Sequence, residues 1–566
     1  MDKITEGLLA DFSQTCDIKN LPEEDRFEQF AAYLTVWRHY NDSTFLPADL
    51  VTGKGNDTGI DAIAVIVNNQ LVTDVDTVTD ILEFNGYLDV TFVFVQAERS
   101  EHFDTKKIGQ FGFGVRDFFG EGKLKRNDVV QNYAEIMIKL FSLSAKFTKG
   151  NPSCHLYYVT TGKWQEGTDL STRAQAEVTD LENTGMFSRV EFHPIGAPEI
   201  QKLFQQTKSA IIREFVFDQK TVVPDVAGVK EAYLGFLKAS EFLKLICDEN
   251  GEIIKSLFYE NIRDWIGYNR INEEMRQTLE SGNKDRFVLM NNGVTIIARA
   301  LQTTSNKVVM SDFQIVNGCQ TSHVLHNNQP LLNDSVRIPF RLICTPDEAV
   351  MESIIRATNR QTEVRDDQFF AMRPFAKKLE LYFKTFPVEN RLYYERRPHQ
   401  YDSQDVPKSR IVVHQNLVRA MGAIFLGEPQ ITTRSFRTLS DKVEKDFFLE
   451  TDKVEPYYVA AFAFYKLEQM FNSKKIDGSY KAARYQILLA ARLLMDNQPL
   501  PKMNSNDMVK RCENIQKFLW DSGKAEKLFL DAVQAVIEVA GANWNRDSIR
   551  TEPVTKAIFD SLGPKT

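Results

Sequence analysis

Four short apolar runs near the start of the chain, divided by stretches with helical spacing, constrain the fold more than any other feature. They are "DAIAVIV" (61–67), "VTFVFVQ" (90–96), "CHLYYVTTGKW" (154–164) and "RVEFHPIG" (189–196). Continuous apolar character marks strands buried on both faces. Strands alternating with helices give an α/β domain with a central sheet. Helical spacing is read near 20–40, where Phe27, Phe30, Ala31 and Leu34 share a stripe, near 74–84, over 104–119 and 128–147, and in "TRAQAEVTDLENT" and "APEIQKLFQQTKSAI". This first domain is drawn at 1–220.

A different pattern begins near 225. "RFVLMNNGVTIIARAL" reads as two strands around an Asn-Asn-Gly turn, "KVVMSDFQIVNGCQTSHVLHNN" as strand, turn and helix, "VRIPFRLICT" as a strand, and "PDEAVMESIIRATNRQT" as a helix. These make an α+β domain over 221–405, followed by an almost wholly helical region over 406–566. The apolar stripes of that last region suit a core or a homodimer surface. At 566 residues the chain exceeds one core. Its six cysteines are scattered without a CxxC pair, which argues against a zinc ribbon or a disulfide framework and fits a reducing compartment. No leader-like start and no run of about 18 apolar residues is seen, so a cytoplasmic protein with no membrane span is expected. A formal charge of −8 confines any nucleic-acid contact to a local patch.

Asp61 enters its strand, whereas Gln96 and Glu98 stand at the end of theirs. If the two strands are antiparallel neighbours, entry and exit lie at one edge and the two carboxylates come within reach of one ion. Two carboxylates, the carbonyl of Ala97 and water would suit magnesium, or manganese in its place. Such an ion polarises a phosphate and activates water. The plainer alternative makes Asp57 a turn cap and Glu98 a solvated strand end.

Glu28 on the first helical stripe, "GIDAIAV" and "FVQAERSEHFD", in that order, resemble the PD-(D/E)XK nuclease core, and within it the Mrr-like branch, whose last motif is Gln-x-Lys. The resemblance implies a restriction-endonuclease-like fold. Asp61 then matches the metal aspartate, Gln96 the second motif position and Glu28 the helix carboxylate. Glu98 stands where the family carries lysine. It would serve as a further acid or metal ligand, or Lys106 or Lys107 would supply the missing charge, or the core is degenerate and inactive.

Four further segments, "RFVLMNNGVTIIARA", "FQIVNGCQTSHVL", "IIRATNRQTEVRDDQFFAM" and "RLYYERRP", resemble the AIPR family, named for abortive phage infection proteins. Asn292, Asn317, Gln320, Thr321 and Asn359 bring amide and hydroxyl groups to these motifs. They are either a structural polar network or a site for a nucleotide or nucleic-acid backbone. Arg391, Tyr393, Tyr394, Arg396 and Arg397, with Lys106 and Lys107 near the first site, combine cations and aromatic rings as phosphate tracking and base stacking require. Interspersed acids allow the alternative of an ion-paired surface. His323 and His326 share a helix face without a third ligand and are expected to be core or surface residues.

The resemblances together imply an anti-phage defence protein: a magnesium-dependent endonuclease cutting DNA, or RNA as the alternative, whose AIPR region binds nucleic acid or senses a phage trigger or partner. The rival expectation is a non-catalytic sensor or adaptor with a degenerate nuclease core.

Overall fold

The strand "AIAVIV" has every residue buried, which requires a layer on each side of its sheet. A computed structural model of the chain describes all residues except 41–44, 54, 121, 149, 168, 209–210, 249–250, 252, 259–269, 360–372, 397–399, 402–403, 405, 435, 542–543 and 565–566. The described elements run α1 (Lys3–Thr15), α2 (Glu23–Trp37), β1 (Ala62–Val67), β2 (Gln70–Val72), α3 (Val75–Asn85), β3 (Val90–Glu98), α4 (Thr105–Phe119), α5 (Asp128–Ser142), β4 (Ser153–Thr160), α6 (Asp169–Glu182), β5 (Arg189–Ile195) and α7 (Ala197–Lys208). Their five strands form one sheet in the order β2-β1-β3-β4-β5. β1 lies antiparallel to β3, and β3, β4 and β5 run parallel. Ile63, Val65 and Val67 pack with Phe111 and Val115 of α4 and Val130 of α5. Ala62, Ala64 and Ile66 meet Phe27, Phe30 and Leu34 of α2 on the other face. The chain is thus mixed α/β, with a sheet domain at its N-terminal end and a helical C-terminal region.

By contacts the chain divides into two units, one of Met1–Thr207 with Pro374–Thr566, the other of Lys208–Arg373. The divisions fall near 207 and 373, where pattern alone had suggested 220 and 405. The cause lies in long-range packing. The helices Glu455–Asn472 and Arg484–Met495 are buried over most of their length, and their polar residues bind the N-terminal part of the same unit. Asp49 stands 3.1 Å from Lys481 and 3.2 Å from Arg484, and Arg484 lies 3.4 Å from Glu468. Lys474 pairs with Asp25, and Gln469 donates to Asp17 at 2.6 Å.

The second unit holds β6 (Ile212–Val216), β7 (Gln219–Val222), β8 (Glu231–Lys238), α8 (Ala239–Ile246), α9 (Arg270–Glu280), β9 (Val294–Thr304), β10 (Lys307–Asn317), α10 (Cys319–Asn327), β11 (Arg337–Cys344) and α11 (Glu348–Asn359). Its sheet order is β6-β10-β9-β11-β8-β7. Phe242 of α8, Leu279 of α9 and Leu325 of α10 cover one face with Ile296, Ile315 and Leu342. Met351 and Ile355 of α11 cover Ile297 and Val316 on the other. The expected strand before the Asn-Asn-Gly turn is instead a 3-10 helix, Lys284–Leu289. Asn291 explains it: its side chain bonds back to Phe287 O and accepts from Gly293 N, closing the turn locally instead of pairing two strands. Among the described residues no helix is long and apolar enough to cross a membrane.

The partly buried charges around Asp49 generate a stability prediction. Burial opposes ionisation of Asp49, but Lys481 and then Arg484 outweigh it and hold the carboxyl below the usual range. Arg484→Met keeps the volume but strips this charge from both Asp49 and Glu468. It is expected to lower stability by about 2 kcal/mol, the scale of a bond to a charged group, read as a lower denaturant midpoint.

Candidate functional site

The antiparallel register sets Ala62 opposite Val95, so Asp61, one residue before β1, meets the end of β3. The Asp61 N–H donates to Val95 O at 2.8 Å. Its Oδ2 accepts from Gln96 Nε2 at 2.7 Å and from the Ala97 N–H at 2.7 Å. Alternation along β3 puts Glu98 on the same face as Gln96. There Glu98 Oε2 accepts from Tyr158 Oη of β4 at 3.0 Å, and Lys107 Nζ of α4 lies 3.7 Å from Glu98 Oε1. Asp57 does cap the turn, accepting from Gly59 N at 2.8 Å.

Helix α4 reaches this edge because Gly114 carries no side chain. A Cβ there would lie 2.0 Å from Thr58 O, in the turn that delivers Asp61. The first turn of α4 begins at Asp104, whose side chain caps Lys106 N at 2.7 Å, and this turn projects Lys107 to the site. Of the two lysines weighed from sequence, Lys107 reaches Glu98. Lys106 is exposed one residue before it.

Asp61 is only partly accessible, and burial, the largest effect, raises its pKa to about 7. The Ala97 N–H opposes the shift. Asp57 and Glu98 add to it as like charges, and Lys107 counters them. An ionised carboxylate held in this state is relieved by a cation, and the donor set of two carboxylate groups is hard oxygen, suited to magnesium or manganese. Glu28 sits on α2, whose packed stripe covers the sheet face opposite Asp61. The bonds that assemble the site run through Asp61, Gln96, Glu98, Lys107 and Tyr158. Tyr158 was missed by sequence reading because it sits inside an apolar strand. Its signal would have been the parallel pairing Gln96↔Tyr158, which the strand order had to reveal.

The other polar motifs lie in the second unit and after it. Asn317 Nδ2 donates to Thr358 O at 2.9 Å, tying the end of β10 to α11. Gln320 Oε1 accepts from Asn272 Nδ2 at 2.7 Å, Thr321 is buried, and Asn292 is exposed. Gly318 has φ +105°, and a Cβ on it would strike Val294 Cγ2 at 2.7 Å and Gly293 O at 2.9 Å. The two glycine-bearing motifs therefore pack against each other. The side chain of Asn359 and all of Arg397 lie outside the described residues. His326 Nε2 bonds Gly251 O at 2.9 Å and the His323 ring packs against Phe258, in keeping with the structural roles expected.

Two of the cations and rings read as surface contacts are internal. Arg396 is buried, with its Nε bonded to Glu380 Oε2 at 2.5 Å. Tyr394 is fully buried, with its hydroxyl 2.7 Å from His414 Nδ1. As placed, neither can meet phosphate or base. Arg391 donates to Phe386 O at 2.9 Å, and Tyr393 is half-buried beside Tyr401. The interspersed acids had allowed for this pairing; the burial came from the surrounding helices.

The family model for AIPR protein matches residues 258–540, half of the chain. The chain belongs to the AIPR family. The AIPR match takes in the Asn-Asn-Gly and Asn-Gly-Cys motifs of the second unit and most of the C-terminal helices. It begins after the sheet that carries Asp61, whose last strand ends at Ile195. No curated protein and no solved structure matches the chain. The family, named for abortive phage infection, points to a role in anti-phage defence.

A pH prediction follows from Asp61. Its folded pKa of about 7 lies above the unfolded value of about 4. The folded state therefore binds the extra proton between these values, and stability falls as pH rises through the window. Without divalent metal, the melting temperature of the wild type should drop more than that of Asp61→Asn between about pH 4 and pH 7. Adding magnesium at pH 7 should narrow the difference.

Proposed function

We propose that this AIPR protein is a metal-dependent nuclease that cuts DNA phosphodiester bonds, with its AIPR region binding nucleic acid or sensing the trigger. The observation that carries the reading is the meeting of Asp61, Gln96 and Glu98 at one sheet edge with Lys107 alongside. Asp61 and Glu98 would hold magnesium, which when bound supplies charge neutralisation and an acidified water. Gln96 fixes the Asp61 carboxylate by its amide N–H. Tyr158 fixes Glu98. Lys107 brings a cation to the position where a scissile phosphate would approach, doing from α4 what a lysine at position 98 would do from β3. Lys106 extends that charge outward. Glu28, on the helix covering the other face, is assigned no step.

The second reading, a sensor or adaptor that grips nucleic acid without cutting, is favoured by the acid at position 98. The two part company in one experiment. Supercoiled DNA, linear DNA and RNA are incubated with the full chain and magnesium or manganese. Wild type is expected to nick or linearise DNA, and Asp61→Ala to fall by at least about 100-fold, the scale of losing a principal electrostatic group. Binding of DNA with no cutting under either ion would reject the nuclease in favour of the adaptor.

A further inference from the structure

On the sheet face opposite Asp61, three side chains from two neighbouring strands converge. β4 and β5 pair in parallel with His155 beside Glu191 and Tyr157 beside His193. His155 Nδ1 lies 3.2 Å from His193 Nε2 and 3.2 Å from Glu191 Oε2, and His193 Nε2 lies 3.4 Å from that same oxygen. A neutral imidazole nitrogen has one in-plane proton or one lone pair, not both. Hydrogen bonds alone therefore cannot satisfy all three sides of this triangle.

A cation at its centre can. Zinc bonds to imidazole nitrogen and carboxylate oxygen of about 2.0–2.1 Å in a tetrahedron put neighbouring ligand atoms about 3.3–3.4 Å apart. An octahedral ion of similar bond length would need them about 3.0 Å apart. The edges of 3.2, 3.2 and 3.4 Å approach the tetrahedral spacing.

The surrounding groups hold these ligands in place, as the outer shell of a metal site does. Arg189 Nη2 binds the other carboxylate oxygen, Glu191 Oε1, at 2.5 Å and leaves Oε2 facing the imidazoles. The Tyr157 ring stacks on His193 with centroids 4.5 Å apart and an angle of 16°. His39, just beyond α2, bonds Tyr157 Oη at 2.7 Å and lays its ring 4.4 Å from that of His155.

We infer that His155, Glu191 and His193 form a zinc site that pins the edge strand β5 to β4, with the fourth position left to water or a small ligand. Among the described residues these three are the group placed to hold a metal through histidine. The site is independent of the nuclease reading, since it lies on the other face of the sheet and uses none of its residues.

The test is zinc binding by calorimetry to the full chain stripped with EDTA, in an Asp61→Ala background that removes the other candidate cation site. One zinc per chain is expected. Glu191→Gln, which is isosteric and at a partly exposed position, and His193→Ala should each weaken binding by at least about 100-fold, more than the loss of an outer-shell partner costs. Zinc should also raise the melting temperature of the parent and leave that of Glu191→Gln unmoved. A parent protein that takes up no zinc overturns the assignment whatever the variants do, as does uptake that survives Glu191→Gln undiminished.

Discussion

The antiparallel pairing of β1 with β3 is the constraint on which the site depends. Side chains alternate along a strand, so a slip of one residue would turn Gln96 and Glu98 to the α2 face and strand Asp61 alone. The register is fixed twice over. Buried residues on both faces of β1 tolerate no slip, and Asp61 itself bonds across to Val95 O and the Ala97 N–H. Once that edge is set, the close approach of α4 at Gly114 brings Lys107, and the parallel strand β4 brings Tyr158.

Two partly buried aspartates in the same unit show how environment separates structure from chemistry. Asp49 is met by Lys481 and Arg484, which hold it ionised, and its work is to join the C-terminal helices to the sheet domain. Asp61 is surrounded by amide donors and by other carboxylates, with one lysine near, and its pKa rises. Carboxyl groups perturbed in this way gather at functional sites.

Local pattern made the sheet domain legible. The four apolar runs became β1, β3, β4 and β5, and the antiparallel pairing of β1 with β3 puts Asp61 and Glu98 at one sheet edge. Contacts between distant parts were not legible. Nothing near Asp49 announces Lys481 or Arg484, and nothing near Glu380 announces that Arg396 is buried against it instead of facing solvent. The Asn-Asn-Gly turn misled for a local reason, since Asn291 satisfies the turn by its side chain and frees the preceding segment to coil. The histidine cluster had a faint signal in "VEFHPI", where Glu191 and His193 alternate onto one face. Only the strand order could add His155.

In the proposed nuclease, Lys107, reaching over from α4, does the work of the lysine absent at position 98. The most direct test is magnesium-dependent DNA cleavage by Lys107→Ala and by Lys107→Arg, both of which leave Asp61 and Glu98 in place. Lys107→Ala is expected to silence cutting, and Lys107→Arg, which keeps the cation, to retain much of it. Cutting by Lys107→Ala at the wild-type rate, or silence in Lys107→Arg as complete as in Lys107→Ala, would contradict that role.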